Sequence, residues 1–190
     1  FGLFVDVVNE PMFADDAADL IEEMPANVVN RILENITPST RKEINSLLMY
    51  PDDSAGSIMT VEVADLKEKD TVKQAISKLK RVQFDKETID YCYVLDKKRT
   101  LLGIVSLKQL LFASPNTLIK NLMETDIIYL NTLDDQESVA YQFKKYDLTV
   151  MPVVDKEKRL VGIITIDDII DILEEEATED IEQMAGIVSS

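Results

Sequence analysis

Apolar and polar positions along this chain follow two different periods, and the switch between them divides it. In residues 1–50 the spacing is helical and interrupted. Asp15-Asp16-Ala17-Ala18-Asp19-Leu20-Ile21 puts acids into a first turn, where the helix dipole favours them. Ala26 to Asn35 aligns Val28, Val29, Ile32 and Leu33 on one face, and the segment after Pro38 aligns Ile44, Leu47 and Leu48. Pro25, Pro38 and Pro51 recur at one interval, with Pro11 a residue out of step. Thr37-Pro38 supplies an N-cap followed by proline at the first helical position, and each proline blocks the helix before it. The pattern predicts a stack of short antiparallel helices, a small α-solenoid truncated at its N-terminus. Tyr50-Pro51-Asp52-Asp53-Ser54-Ala55-Gly56-Ser57 has no period and is rich in turn formers, so a domain boundary falls there, as a hinge or as an ordinary linker.

From Ile58 the chain states one pattern twice. The first pass runs Ile58-Met59-Thr60, an apolar strand around Val61 to Leu66, an Asp70-capped helix carrying Val72, Ala75, Ile76 and Leu79, and the strand Tyr91 to Asp96. A charged turn leads to Leu101-Leu102-Gly103-Ile104-Val105-Ser106 and a short helix. The second runs Leu122-Met123-Glu124, a strand Ile127 to Leu130, a helix Gln136 to Tyr146 and the strand Val150-Met151-Pro152-Val153-Val154-Asp155. It closes on Leu160-Val161-Gly162-Ile163-Ile164-Thr165 and a long helix. Each unit is strand, helix, strand, strand, helix. Neither is large enough to be stable alone, so the two are expected to pack sheet to sheet as one globule. Cys92, Met59, Met123 and Met151 fall on apolar positions and read as core. The basic residues Lys78, Lys80, Arg81, Lys97, Lys98 and Arg99 read as solvated turns and faces.

The last helix changes the picture. Asp167 to Glu182 contains no basic residue. At about 100° per residue, Asp168, Asp171, Glu175, Glu179 and Glu182 share one stripe, and Ile166, Leu173, Ala177, Ile181 and Met184 the opposite one, which is expected to need a core. Like charges three and four residues apart cost a few tenths of a kcal/mol each, so this stripe accumulates on the order of 1–2 kcal/mol of self-repulsion. A solvated face and a cation- or partner-binding face both satisfy the pattern. Ser106-Leu107-Lys108-Gln109 of the first unit aligns with Thr165-Ile166-Asp167-Asp168 of the second, so the fold itself does not require the acids.

Composition sharpens the choice. The 190 residues carry a formal charge of −16, which disfavours nucleic acid and anionic membrane surfaces. One cysteine and no histidine exclude disulfides and nearly all soft-metal sites, leaving hard, oxygen-liganded ions such as magnesium or calcium. No apolar run is long enough to span a bilayer. With no histidine, no Gly-rich phosphate loop and no nucleophile beside an evident base, an enzyme is not expected. Opening at Phe1 and ending at Ser190 just past a helix, the chain reads as an excised part of a longer polypeptide.

The duplicated apolar-Pro-Val-Val-Asp, charged turn, Leu-Val-Gly-Ile-Ile-Thr and Asp-rich helix start resembles a tandem pair of cystathionine-β-synthase-type (CBS) domains, a Bateman module. Tyr50 to Thr60 directly after short helical repeats, and Glu174-Glu175-Glu176-Ala177-Thr178-Glu179-Asp180-Ile181 after the second unit, resemble the cytosolic part of MgtE-type magnesium transporters. The resemblance implies an α+β (α/β-like) fold: a partial helical N domain over residues 1–56, CBS domains over 57–119 and 120–176, and the start of a connecting helix over 177–190. It also implies a magnesium-sensing regulatory region on the cytoplasmic face of the cell membrane, homodimeric through its CBS domains. The partner would be a transmembrane domain of the same polypeptide, held closed when Mg2+ is bound.

Asp168, Asp171, Glu176, Glu179 and Asp180 stand where family ligands stand, as do Asp135, Glu137, Asp147 and Asp16. Met12, one helical turn before Asp16, departs from an acid. The family also binds adenine nucleotides through a Ser-x-x-Asp pattern. Ser106 keeps the hydroxyl but Gln109 replaces the acid, whereas Thr165 and Asp168 supply both groups in the second unit. A nucleotide-sensing module that takes ATP at Ser106, Thr165 and Asp168 is the alternative reading.

Overall fold

The computed structural model describes residues 44, 49–61, 63–82 and 88–188. The expected solenoid falls on residues 1–50 and so lies almost wholly outside the described residues. Twelve elements follow it: α1 (Ala55–Ile58), β1 (Val63–Leu66), α2 (Val72–Val82), β2 (Thr88–Leu95), β3 (Leu101–Ser106), α3 (Leu107–Phe112), a 3-10 turn (Ile119–Asn121), β4 (Leu130–Asn131), α4 (Gln136–Tyr146), β5 (Val150–Val154), β6 (Leu160–Thr165) and α5 (Ile166–Val188).

Two three-stranded sheets result, ordered β1-β2-β3 and β4-β5-β6. In each the first pair is parallel and the second antiparallel. Alternation within a central strand shows how the layers stack. Cys92 and Val94 of β2 pack towards Leu79 and Leu110 of their own helices, while Tyr93 and Leu95 join Val150, Val154 and Ile163 of the other sheet. Met151 and Val153 of β5 face Phe143 and Ile169. All five residues of β5 are buried, because sheet covers one face and helices the other. The sheet-to-sheet globule read from the duplication is what forms.

Three sequence expectations shift. The first helix is capped by Thr71 and not Asp70: Gln74 N–H donates to Thr71 Oγ1 at 3.2 Å and Thr71 N–H to Gln74 Oε1 at 2.9 Å, a reciprocal box. Asp70 instead accepts from Lys67 N–H at 3.1 Å. The strand expected over Ile127 to Leu130 is only Leu130–Asn131, pairing with Val153 and Val154. Extending it backwards would set Tyr129 beside Pro152, which has no N–H to offer. The third concerns α5. Ile169 and Ile172 enter the core and Ile166 is half-buried, but Leu173, Ala177, Ile181 and Met184 are exposed. The stripe expected to need a core is left uncovered among the described residues, since the helix outruns the unit it packs on.

The two units are also stitched reciprocally. Thr60, ahead of β1, pairs with Ile163 of β6, and Glu124, ahead of β4, pairs with Ile104 of β3, each through two N–H to carbonyl bonds of 2.9 Å. Each crossing passes over a glycine. A Cβ on Gly162 would sit 2.6 Å from the Thr60 carbonyl oxygen, and one on Gly103 would sit 2.5 Å from Met123 Sδ. The hairpin turns meet as well, Leu101 N–H donating to Lys158 O and Leu160 N–H to Arg99 O at 3.0 Å. The Tyr50 to Ser57 junction is docked in the same way: Ala55 N–H donates to Asp134 O at 2.7 Å, Gly56 N–H to Thr132 O at 2.9 Å, and Gln136 N–H to Asp53 O at 2.8 Å.

Gly162→Ala is therefore expected to cost about 1–3 kcal/mol in urea unfolding, because backbone blocks the methyl group. Gly103→Ala should cost less, since a methionine side chain can move; equal losses would contradict the crossing. Tyr93 is fully buried between the sheets and its hydroxyl has no partner among the described residues, so Tyr93→Phe should leave the midpoint unchanged or raise it.

Candidate functional site

The acids singled out from the sequence fall into separate groups. Asp135 is the N-cap of α4, its Oδ1 accepting from Ser138 N–H at 2.9 Å, and Glu137 lies exposed in the first turn. Both sit beside the docked junction, because Ser54 bridges to Asp135. This brings Asp52 and Asp53 to the same end of the unit. Asp147 caps the other end of α4 in a left-handed conformation (φ 51°), roughly 16 Å away along an 11-residue helix. There it neighbours the start of α5, since Ile166 N–H donates to Thr149 O at 2.8 Å. Asp168 and Asp171 lie on the first turns of α5, with Asp171 exposed. Glu176, Glu179 and Asp180 follow along the same helix, Asp180 roughly 18 Å beyond Asp168. Asp16 is outside the described residues. Among the described residues no three carboxylates converge closely enough to enclose an ion.

The surroundings of Asp168 disturb its carboxyl. Its Oδ2 accepts from Thr165 N–H at 3.1 Å and from the Thr165 hydroxyl at 3.0 Å, closing the first turn of α5. Burial pushes its carboxyl above the ordinary range; the two Thr165 bonds oppose this, and the charges of Asp171 and Asp167 add to the rise. The equivalent position in the first unit is neutral: Gln109 Oε1 accepts from Ser106 N–H at 2.8 Å, Gln109 N–H donates to Ser106 Oγ at 3.1 Å, and Gln109 Nε2 donates to Glu124 Oε1 at 3.2 Å. Each helix-start motif thus has a capping task whatever else it holds. Two other aspartates are disturbed in the opposite sense. Backbone N–H groups of Thr100 and Lys98 hold Asp96 low. Partial burial pushes Asp155 up, but hydrogen bonds from Arg159 and Glu157 and the Arg159 charge outweigh it and hold it low.

Ser106 also lines a cleft of about 520 Å3 with Asp90, Tyr91, Leu107, Lys108, Leu111 and Thr149. Reading the motif alone picked out Ser106 and missed Asp90, Tyr91, Lys108 and Thr149. The sequence carried no signal for them, because only the packing of one unit on the other brings Thr149 and the start of β2 to the same seam as Ser106 and Lys108.

Comparisons follow the same lines. The sequence profile of the MgtE intracellular N domain matches residues 5–53, and that of the CBS domain matches 55–116 and 119–175. The chain belongs to the CBS-domain family, with an MgtE-type N domain ahead of the pair. The magnesium transporter MgtE of Thermus thermophilus is 43% identical over 177 residues, covering 91% of this chain and 39% of that protein. The soluble part of a magnesium transporter, solved by crystallography, superposes with a TM-score of 0.88 at 36% identity, covering 91% of this chain and 67% of the other. The cytosolic domain of the Mg2+ channel MgtE in complex with ATP superposes with a TM-score of 0.84 at 40% identity, covering 88% and 68%. The chain spans about two fifths of the length of the curated relatives it matches. The relatives that cover nine tenths of it are named as magnesium transporters and not as enzymes. No helix among the described residues is long and apolar enough to cross a membrane.

The raised Asp168 carboxyl has a pH signature. The folded chain holds that proton more tightly than the unfolded chain, so the stabilisation is fully present below the ordinary carboxylate value and is lost as pH rises through the raised one. Asp96 and Asp155 are held low and act below that window. In metal-free buffer, melting temperature between about pH 4 and pH 7 should carry a falling contribution that Asp168→Asn removes. An unchanged profile in the variant would count against burial of the charge.

Proposed function

We propose that this chain is a magnesium-sensing regulatory region of a transporter or channel, which takes up Mg2+ at acidic sites shared between modules and so favours the arrangement that holds a transport pathway closed. The observation that carries this reading is Asp168: a half-buried carboxyl crowded by Asp167 and Asp171, at the head of a helix with no basic residue from Asp167 to Glu182. Asp171, Glu176, Glu179 and Asp180 extend the site along α5, Asp147 flanks its start, and Asp135, Glu137 and Asp16 would serve the interface with the N domain. The donors are oxygen throughout, which suits Mg2+, an ion commonly held by one or two carboxylates with the remaining positions kept by water. Weak sites spread over interfaces are suited to millimolar sensing, and together they can supply the several kcal/mol of preference that moves a two-state equilibrium decisively.

Domain limits of 1–56, 57–119, 120–176 and 177–190 belong to the same reading, as does a homodimer through the CBS domains. The exposed apolar residues Leu111 and Phe112 of α3 and Ile170 of α5 support the dimer, because Leu111 and Ile170 occupy equivalent places in the two units. A second reading, adenine-nucleotide sensing in the cleft around Tyr91, Ser106 and Lys108, is favoured by the solved relative that holds ATP.

Small-angle scattering and limited proteolysis with and without about 10 mM Mg2+ test the first reading. Compaction and protection are expected, weakened in Asp168→Asn/Asp171→Asn and not reproduced by sodium at matched ionic strength. Apparent Mg2+ affinity should rise with pH through the raised Asp168 value, because the ion displaces that proton. An envelope and cleavage pattern indifferent to Mg2+ would end the proposal. Sedimentation of Phe112→Asp should show loss of dimer, and calorimetry with ATP and AMP decides the nucleotide reading.

A further inference from the structure

Positive charge in this chain is concentrated in one place. Residues 57–119 hold eleven Lys and Arg against eight Asp and Glu, whereas the whole chain holds 20 against 36. Within that unit, Lys67, Lys69 and Lys97 line a cavity of about 510 Å3 with Glu68, Leu95 and Asp96. The cavity lies past the carboxyl ends of β1 and β2, the parallel pair of the first sheet. Ligands of open sheets commonly bind outside the carboxyl ends of parallel strands. It is also at the other end of the unit from the cleft at Ser106, which sits where β3 ends. A second hollow of about 300 Å3 continues from Lys67 past Asp70, Gln74 and Lys78 to Arg81.

The acids nearby are mostly engaged elsewhere. Asp70 accepts from Lys67 N–H, Asp96 Oδ1 accepts from Lys98 and Thr100 N–H groups at 2.8 Å, and Asp65 pairs with Lys78 Nζ at 3.2 Å. No ion pair forms to the ammonium groups of Lys67, Lys69 or Lys97 among the described residues. The duplication supplies an internal control. Asn131 N–H donates to Asp134 at 2.9 Å as Lys67 N–H donates to Asp70, which sets Lys67 against Asn131 and Lys69 against Leu133. The second unit builds the same turn without either lysine, so the fold does not require them.

We propose that Lys67, Lys69 and Lys97 form an anion site for a phosphate-bearing ligand at the carboxyl ends of β1 and β2, separate from the Ser106 cleft. Lysine ammonium groups on flexible stems suit a multiply charged phosphate as point charges. Either a free polyphosphate or a lipid headgroup offers that chemistry.

Isothermal titration of the chain with sodium tripolyphosphate in metal-free buffer, and flotation with phosphatidylglycerol/phosphatidylcholine vesicles, distinguish the two sources. Binding of tripolyphosphate is expected to weaken about tenfold or more in Lys67→Gln/Lys69→Gln, the size of losing one charge-assisted hydrogen bond. It should persist in Lys108→Gln, which alters the other cleft. Vesicle binding that depends on Lys67 and Lys69 without tripolyphosphate binding would assign the phosphate to a lipid. Failure of the wild-type chain to bind either probe would overturn the proposal, as would binding unchanged in the double variant or lost in Lys108→Gln alone. Circular dichroism of each variant confirms that folding is intact, and none of these readouts depends on Mg2+ sensing.

Discussion

Two backbone crossings hold this structure together. The segment before each unit leaves its own sheet and lies on the edge strand of the other, Thr60 over Ile163 and Glu124 over Ile104. At Gly162 the Thr60 backbone leaves no room for a Cβ, so that glycine is a steric requirement and not a flexible joint, while at Gly103 the space is taken by the Met123 side chain. Once made, the exchange means neither unit can leave without breaking the other's edge. It also covers edges that would otherwise offer unpaired backbone groups to another chain.

This joint makes the seam between the units a reliable place to build. It brings the starts of the central strands together, so Thr149 of one unit reaches the cleft of Ser106 in the other. It also sets the docked junction against the N-terminus of α4, carrying Asp52 and Asp53 to Asp135. A helical domain attached through that junction inherits a fixed point of attachment. Glu137 of α4 and Asp171 of α5 are exposed, where another module or another copy can approach them.

The two units share a backbone and differ in charge. Where the first has Gln109 the second has Asp168, and where the first has Lys67 and Lys69 the second has Asn131 and Leu133. A duplicated fold already satisfies its caps and turns twice, so one copy can exchange a neutral residue for a charged one at little cost to packing. Crowding is strongest in α5. Its first turns are anchored by Ile169 and Ile172, and this anchoring half-buries Asp168 beside two more acids. The rest of the helix carries acids and an uncovered apolar stripe away from the globule.

The sequence by itself determined the duplication, the order of strands and helices in each unit, most element limits, and the sheet-to-sheet packing. These follow from local periodicity, which depends only on neighbours along the chain. It also identified α5 as unbalanced, because an absence of lysine and arginine is visible in one dimension. It misjudged the Asp70 cap, since Asp70 and Thr71 are equally good caps until the turn geometry selects between them. It assigned the apolar stripe of α5 to a core, since periodicity tells which residues share a face and not whether anything covers it. Tertiary structure alone decided that Met59 and Met123 cross glycines of the opposite unit and that Lys67, Lys69 and Lys97 meet at one end of β1 and β2. It also set Asp90, Tyr91 and Thr149 around Ser106. These groupings join residues distant in the chain: pairing of β1 with β2 gathers the lysines within one sheet, and the packing of one unit on the other gathers the rest.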